Sequence, residues 1–314
     1  MDKNIQSVYV TGKGYCYKVL FNQQKIRIGK EEFQFLEKKL VSTQDETFQT
    51  KKLKPLFKWS GGKFKEIPKF VNYFPTSFDR FVEPFIGGAS VFLHLQNKKN
   101  AISDTHYEVF CFYSAIKNGK SREIYDFMLN HPNDEKTYYW VRNSMSTENP
   151  LDVAKRFFYL RKTCYRGMLR YNKSGNFNIP FGRYKKINFL DLLDCRYEKL
   201  LKNTTIYNAS FESMLTKYND ENNFFFLDPP YDCIFNNYNG NVFDKKNHQL
   251  LFEKFSKTKN KCLMIVNKTD FLVNLYKNYI FDEYAQQYSF KLHSGRVKSV
   301  LPNKHLIICN YSSL

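Results

Sequence analysis

The sequence has no CxxC pair, no GxGxxG fingerprint and no Walker-type lysine loop. It also has no apolar run approaching the roughly 18 residues that span a bilayer. Each absence excludes something. Seven cysteines (Cys16, Cys111, Cys164, Cys195, Cys233, Cys262 and Cys309) are odd in number and scattered, which argues against a disulfide framework or structural zinc. The six histidines show no ligand spacing, so no metal is expected. The opening MDKNIQSVYVTGKGY lacks the apolar stretch of a signal peptide. These readings point to a cytoplasmic or nucleoid-associated protein without a membrane partner. Acid is scarce: 30 Asp and Glu stand against 49 Lys and Arg, a formal charge of +19. That imbalance favours a polyanionic partner, because basic side chains displace counterions from a phosphate backbone.

What is present suffices for a folded core. The 314 residues are 42% hydrophobic, enough for one large domain or a core with an insertion. Residues 1–50 read as an extension, with strand-like SVYV and YCYKVLF, a turn at 11–14, a helical spacing from Glu31 to Leu40, and then the polar linker STQDETFQTKK. From Phe81 to Asp104 the pattern is strand, glycine turn, helix and strand, a βαβ unit. Residues 116–199 read as mostly helical and very basic. Strand signals return at TTIYNAS, NNFFFLDPP, KCLMIVN and KHLIICNY, with amphipathic stretches such as NHQLLFEKFSK between them. Strands alternating with helices predict an α/β fold with a largely parallel, doubly wound Rossmann-like sheet. The expected boundaries are 51–115 with 200–314 for that domain, and 116–199 for the insertion.

Three constellations could carry chemistry. In such a sheet, ligands sit at the carboxyl ends of strands near the reversal of strand order. Gly87 and Gly88 follow the first strand, and Asp104 closes the next, where a carboxylate can accept from ribose hydroxyls. On its own, a Gly-Gly pair is more often only a turn. Asp228-Pro229-Pro230-Tyr231 follows the apolar FFFL run. Two prolines hold an extended backbone and remove amide donors. The Asp228 carboxylate and the Pro229 carbonyl then offer two acceptors that match an amino group, and Tyr231 offers a ring for a base. Lys58-Trp59-Ser60-Gly61-Gly62-Lys63 is a third candidate, although on this segment alone a core tryptophan beside a turn is the better explanation.

Taken in order, KWSGGK, VEPFIGGASVF and DPPY resemble the Dam-type (D12 class) DNA adenine-N6 methyltransferases. FFYLRKTCYRGMLRYNKSGNFNIPFGRYKK is similar to the target-recognition segment of that family. The resemblance covers roughly residues 55–314. It implies an S-adenosylmethionine-dependent methyltransferase acting on double-stranded DNA by base flipping, with residues 116–199 as target-recognition domain. It places Trp59, Lys63, Phe85, Gly87, Asp104, Phe211 and Asp228 around the cofactor, with Asp228, Pro229 and Tyr231 catalytic. It places Lys58, Tyr165, Met168, Arg170, Pro180 and Tyr184 on DNA, with Arg170 reading a guanine, the usual bidentate partner of arginine. A cognate restriction endonuclease is a further implied partner, and a GATC-like target is one candidate.

The chain departs from the family at four points. Ala89 stands where a second glycine is common, and Thr105-His106 follow Asp104 where Ile or Leu and Asn are usual. Ser210 precedes Phe211 in place of a frequent Asp. Arg166 replaces a common Asn in the DNA-reading part. Two rivals remain at this level: a cytosine-N4 methyltransferase, whose prolines more often follow Ser, and a catalytically inactive DNA-binding protein on the same fold. A protein glutamine methyltransferase would usually carry Asn before the prolines and would not require so basic a chain.

Overall fold

The stretch NFFFL at Asn223–Leu227 is buried at every position, as expected of a strand covered on both faces. The computed structural model describes residues 5–10, 16–20, 25–36, 52–172, 174–219, 222–230, 243–287 and 302–312. Along the chain come β1 (Ile5–Val10), β2 (Cys16–Leu20), β3 (Lys25–Ile28) and helix α1 (residues 30–36). Next are α2 (Ile67–Phe70), β4 (Arg80–Glu83), α3 (Ser90–Leu95) and β5 (Asn100–Ser103). Helices α4 (Tyr107–Lys117), α5 (Ser121–Asn130), α6 (Glu135–Asn143), α7 (Pro150–Thr163) and α8 (Cys195–Lys202) follow. The order closes with β6 (Thr204–Tyr207), α9 (Phe211–Lys217), β7 (Asn223–Leu227), α10 (Lys245–Lys257), β8 (Lys261–Asn267), α11 (Asp270–Leu275), β9 (Ile280–Gln287) and β10 (Pro302–Cys309). The chain divides into two compact units. One holds Met1–Gly62, Gly88–His94 and His106–Asn203, and the other Lys63–Gly87, Leu95–Thr105 and Thr204–Leu314.

The second unit is α/β. Among the described residues its sheet has seven strands in the order β6-β5-β4-β7-β8-β10-β9. The pairings from β6 through β8 are parallel, whereas β8-β10 and β10-β9 are antiparallel, so the sheet is mixed. β9 is absent from the sequence reading. Its IFDEYAQQ carries Asp282 and Glu283 and exposes Phe281, so no apolar alternation marks it. Alternating side chains build two cores. Val82, Ala101, Phe225, Leu227, Cys262, Met264, Leu306 and Ile308 share one cluster with residues of α9, α10 and α11. On the neighbouring positions, Phe81, Phe224 and Phe226 meet the segment around α2. Phe70 stacks on Phe226 at 5.5 Å, and Phe74 and Phe78 lie 5.3 and 5.2 Å from Phe224.

The first unit begins with the antiparallel sheet β1-β2-β3. Buried Cys16, Phe33 and Leu36 form a small core there with Ile28 and Leu129. Position 33 to 36 is one helical turn, which explains the inward pair on α1. The expected turn at 11–14 and most of the linker lie outside the described residues. The helical bundle is well capped: Asp134 accepts from Thr137 N, and Asn149 from Asp152 N ahead of Pro150. Phe112 of α4 stacks on Phe158 of α7 at 5.2 Å, and Phe57 meets Phe112 and Phe157 edge-on. The reading of 116–199 as mostly helical holds to Thr163 and again for α8, and fails between. From Met168 to Phe189 the described residues carry only isolated bridges, among them Cys164 with Phe181 and Tyr171 with Phe177. Gly175, Pro180 and Gly182 break the periodicity there. Among the described residues, no helix is long and apolar enough to cross a membrane.

Candidate active site

Strand order fixes where a ligand can sit. From β4 the chain runs outward through β5 to β6, then returns to place β7 on the other side of β4. The carboxyl ends of β4 and β7 therefore flank the reversal point. Glu83-Pro84-Phe85-Ile86-Gly87 leaves β4 there, and Asp228-Pro229-Pro230 leaves β7.

Asp228 is held by Lys63. The Lys63 Nζ donates to Asp228 Oδ1 at 2.6 Å. Lys63 is 1% exposed and the Asp228 side chain 20%. No other donor among the described residues is bonded to this carboxylate. Burial pushes the Asp228 carboxyl above the usual carboxylate range. Lys63 pulls it back by charge and hydrogen bond, the charge of Glu66 pushes with burial, and that of His305 opposes it. Behind the pair lies Glu66, whose Oε2 accepts from His305 Nδ1 and from the Tyr284 hydroxyl, both at 2.8 Å. Burial alone would raise Glu66. The His305 bond, the charges of Lys63 and His305 and the Tyr284 bond outweigh it and bring the carboxyl below its usual value.

Around the same strand ends, Gly87 N donates to Asp104 Oδ2 at 3.0 Å, so the carboxylate ties the β4 turn to the tip of β5. Phe85 stacks on Phe211 at 5.6 Å with planes 24° apart, and Phe243 meets both edge-on. Ser210, where the family often has Asp, caps α9 by accepting from Ser213 N at 3.3 Å. The second unit thus brings together Lys63, Phe85, Gly87, Asp104, Phe211, Asp228 and buried Pro229. Tyr231 lies outside the described residues.

Trp59 and the expected DNA contacts belong to the first unit. Trp59 is half-buried and packs edge-on against His106 at 5.9 Å. A Cβ on Gly88 would stand 3.0 Å from the Trp59 Cβ, so this position admits only glycine without displacement. Ala89 has φ 60, a left-handed backbone that explains why glycine suits the position. Tyr165 and Arg166 open a turn in which Arg166 has φ 55 and Gly167 φ 62. Arg161, 2% exposed, lies under it and donates to the carbonyls of Lys58, Gly167 and Met168. Met168, Arg170, Pro180 and Lys58 are exposed. Arg170 Nε donates to Asn178 Oδ1 at 2.7 Å, and Lys58 Nζ lies 5.9 Å from the Tyr184 ring. Among the described residues there is no His, Cys, Asp or Glu cluster able to hold a metal ion.

Sequence reasoning missed Glu66, His305, Tyr284, Phe243, Asn178 and Arg161. Glu66 stands in KFKEIPK, which reads as a solvated stretch, and its partners are 218 and 239 positions away.

Comparison with known proteins agrees with this geometry. Residues 59–292 match the D12 class N6 adenine-specific DNA methyltransferases. The type II methyltransferase M.CviBI of Paramecium bursaria Chlorella virus NC1A is 52% identical over 261 residues, 82% of this chain and 100% of that one. The type II methyltransferase M.MjaIII of Methanocaldococcus jannaschii is 31% identical, covering 72% of this chain and 89% of its own. A DNA adenine methylase of Salmonella typhi is 30% identical over 58% of this chain and 66% of its own. With the motifs lying in family order and Asp228 at the reversal point of the sheet, the chain belongs to the D12 class of N6 adenine-specific DNA methyltransferases and is a site-specific DNA methyltransferase.

Proposed function

We propose that the chain binds S-adenosylmethionine through Lys63, Phe85, Gly87, Asp104, Phe211 and Asp228, with Trp59 as a further contact, and methylates N6 of an adenine taken out of duplex DNA. The observation that carries this reading is the Lys63–Asp228 pair, anchored at 2.6 Å on the strand end beside the sheet's reversal point. The residues fit a nucleoside sulfonium. The Asp104 carboxylate stands at the tip of β5, tied to Gly87 N, a place that suits ribose hydroxyls. Phe85, Phe211 and Phe243 form an aromatic cluster suited to a purine face. When bound, this cofactor supplies an electrophilic methyl group.

The chain's own residues do the rest. The adenine amino group is unreachable within the stack, so the base must be extruded. Lys63 holds one oxygen of Asp228, which leaves the other to accept from the amino group. The Pro229 carbonyl is the second acceptor, and Tyr231 the stacking ring. Two acceptors would draw the nitrogen lone pair out of the ring toward the methyl group; transfer would break the methyl–sulfur bond, leave a neutral thioether and release one amino proton to solvent. Catalysis is then alignment and electrostatics.

In the same reading, 51–115 with 200–314 form the catalytic domain of a doubly wound, Rossmann-like fold, and 116–199 form an inserted target-recognition domain. Arg170 reads a guanine while Lys58, Tyr165, Met168, Pro180 and Tyr184 contact DNA. The type II name of M.CviBI supports a cognate restriction endonuclease as partner. Transfer of tritiated methyl to unmethylated DNA, followed by nucleoside analysis, tests the reading. N6-methyladenine is expected, and Asp228→Asn should abolish it. N4-methylcytosine, or full activity in that variant, overturns the assignment.

A further inference from the structure

The Lys63–Asp228 pair has a second acid behind it that the transfer as described does not use. Glu66 is 3% exposed and His305 0%. Tyr284 and His305 are register partners on β9 and β10, and both bond Glu66 Oε2 at 2.8 Å. Because a carboxylate only accepts, the His305 Nδ1 carries the donated proton. Glu66 in turn is fixed to Lys63 through the main chain, its N–H donating to the Lys63 carbonyl at 2.7 Å. A continuous line of bonded groups therefore runs from the β9-β10 hairpin through Glu66 and Lys63 to Asp228 at the tip of β7. Apolar residues of similar volume would generally stabilise such an interior at least as well as buried charges. A buried carboxylate held by two donors, one turn from the ammonium that grips Asp228, suggests a role beyond packing.

We propose that Glu66, held by His305 and Tyr284, is a positioning residue for methyl transfer: it fixes the Lys63 ammonium against Asp228 and shares that ammonium's charge. The turn held by Glu66 presents the Lys63 ammonium to Asp228 Oδ1, so Asp228 is anchored as an acceptor for the amino group. The proposal rests on the reading of Asp228 as that acceptor. Among the described residues, the charged and titratable groups acting on Asp228 are Lys63, Glu66 and His305.

The test uses the full chain with Glu66→Gln, which keeps the shape and an acceptor oxygen and removes the charge. Removing a like charge from the vicinity of Asp228 should move its carboxyl titration, read by carbon-13 NMR in the free protein, to lower pH. The acid limb of kcat/KM should move with it. Glu66→Asp, which keeps the charge on a shorter stem, should lower kcat roughly tenfold or more through misplacement, with KM for DNA unchanged. It also serves where Glu66→Gln fails to fold. An Asp228 titration unchanged by Glu66→Gln, or a wild-type kcat in Glu66→Asp, overturns the proposal. Asp228→Asn separates the two levels. If it retains transfer, the underlying site reading fails. If it is inactive while the Glu66 variants behave as wild type, only the positioning role fails.

Discussion

The guanidinium of Arg161 donates to the carbonyl of Gly167 at 2.6 Å, from inside the protein. The same group holds the carbonyls of Lys58 and Met168. One buried cation thus sets the shape of the turn that carries Tyr165 and Met168, and ties it to the residue beside Trp59. Arg161→Met keeps much of the volume and leaves these carbonyls unpaired. Stability should fall by about 3 kcal/mol, since each buried acceptor left unsatisfied costs roughly 1–3 kcal/mol. Urea unfolding measures this, and a loss below about 1 kcal/mol would show that water replaces the guanidinium.

Arg166 occupies the left-handed region at φ 55, where Asn is tolerated and a long side chain is strained. The strain is of order 1–2 kcal/mol. Against it stands the Arg166 guanidinium 5.3 Å from the Tyr165 ring, a contact worth about 0.5–1 kcal/mol at an exposed site. The strain is the larger effect, so Arg166→Asn should raise stability by roughly 0.5 kcal/mol. Lower stability in that variant would mean the cation–ring contact dominates.

The pH dependence of transfer has a definite sign. Burial raises the Asp228 carboxyl above its ordinary range despite Lys63. The amino-group acceptor must be ionised, so activity is retained above that raised value and lost as the pH falls through it. The acid limb of kcat/KM should therefore lie at higher pH than an ordinary aspartate gives. A limb at the ordinary carboxylate position would show that the lysine outweighs burial.

Arg170 and Lys58 should differ in kind. Loss of a guanine-reading arginine costs about 1–3 kcal/mol and relaxes preference at one base. Loss of a phosphate-contacting lysine weakens all sequences alike and reduces the salt dependence of binding by about one counterion. Arg170→Ala and Lys58→Ala compared on target and scrambled duplexes over a salt series distinguish the two. Uniform weakening by both would make Arg170 a phosphate contact.

The parts of the molecule visible in the sequence are those written in local pattern. The run NFFFL, the glycine turn after RFVE and the acid closing NAIS each carry their signal within a few residues, and each became the expected strand or turn. Asp228 was visible because its prolines sit next to it. Glu66 and His305 were invisible because buried acids and imidazoles look like surface ones until a partner 239 positions away is known. The segment around Phe181 falls inside the basic stretch 116–199 that reads as mostly helical, although Gly175, Pro180 and Gly182 interrupt it. Its order comes instead from the Cys164–Phe181 bridge and from the Gly182 N–H donating to the Thr163 carbonyl, neither of which has a periodic signature.

The pairing of Lys63 with Asp228 spans 165 positions of chain. Closing so long a loop carries an entropic cost that local contacts do not offset, so assembly of these strand ends should come late in refolding. During that interval β7 has an unpaired edge on a strand that is apolar from Phe224 to Leu227, which makes self-association of a half-folded chain the characteristic hazard of this protein when it is refolded at high concentration.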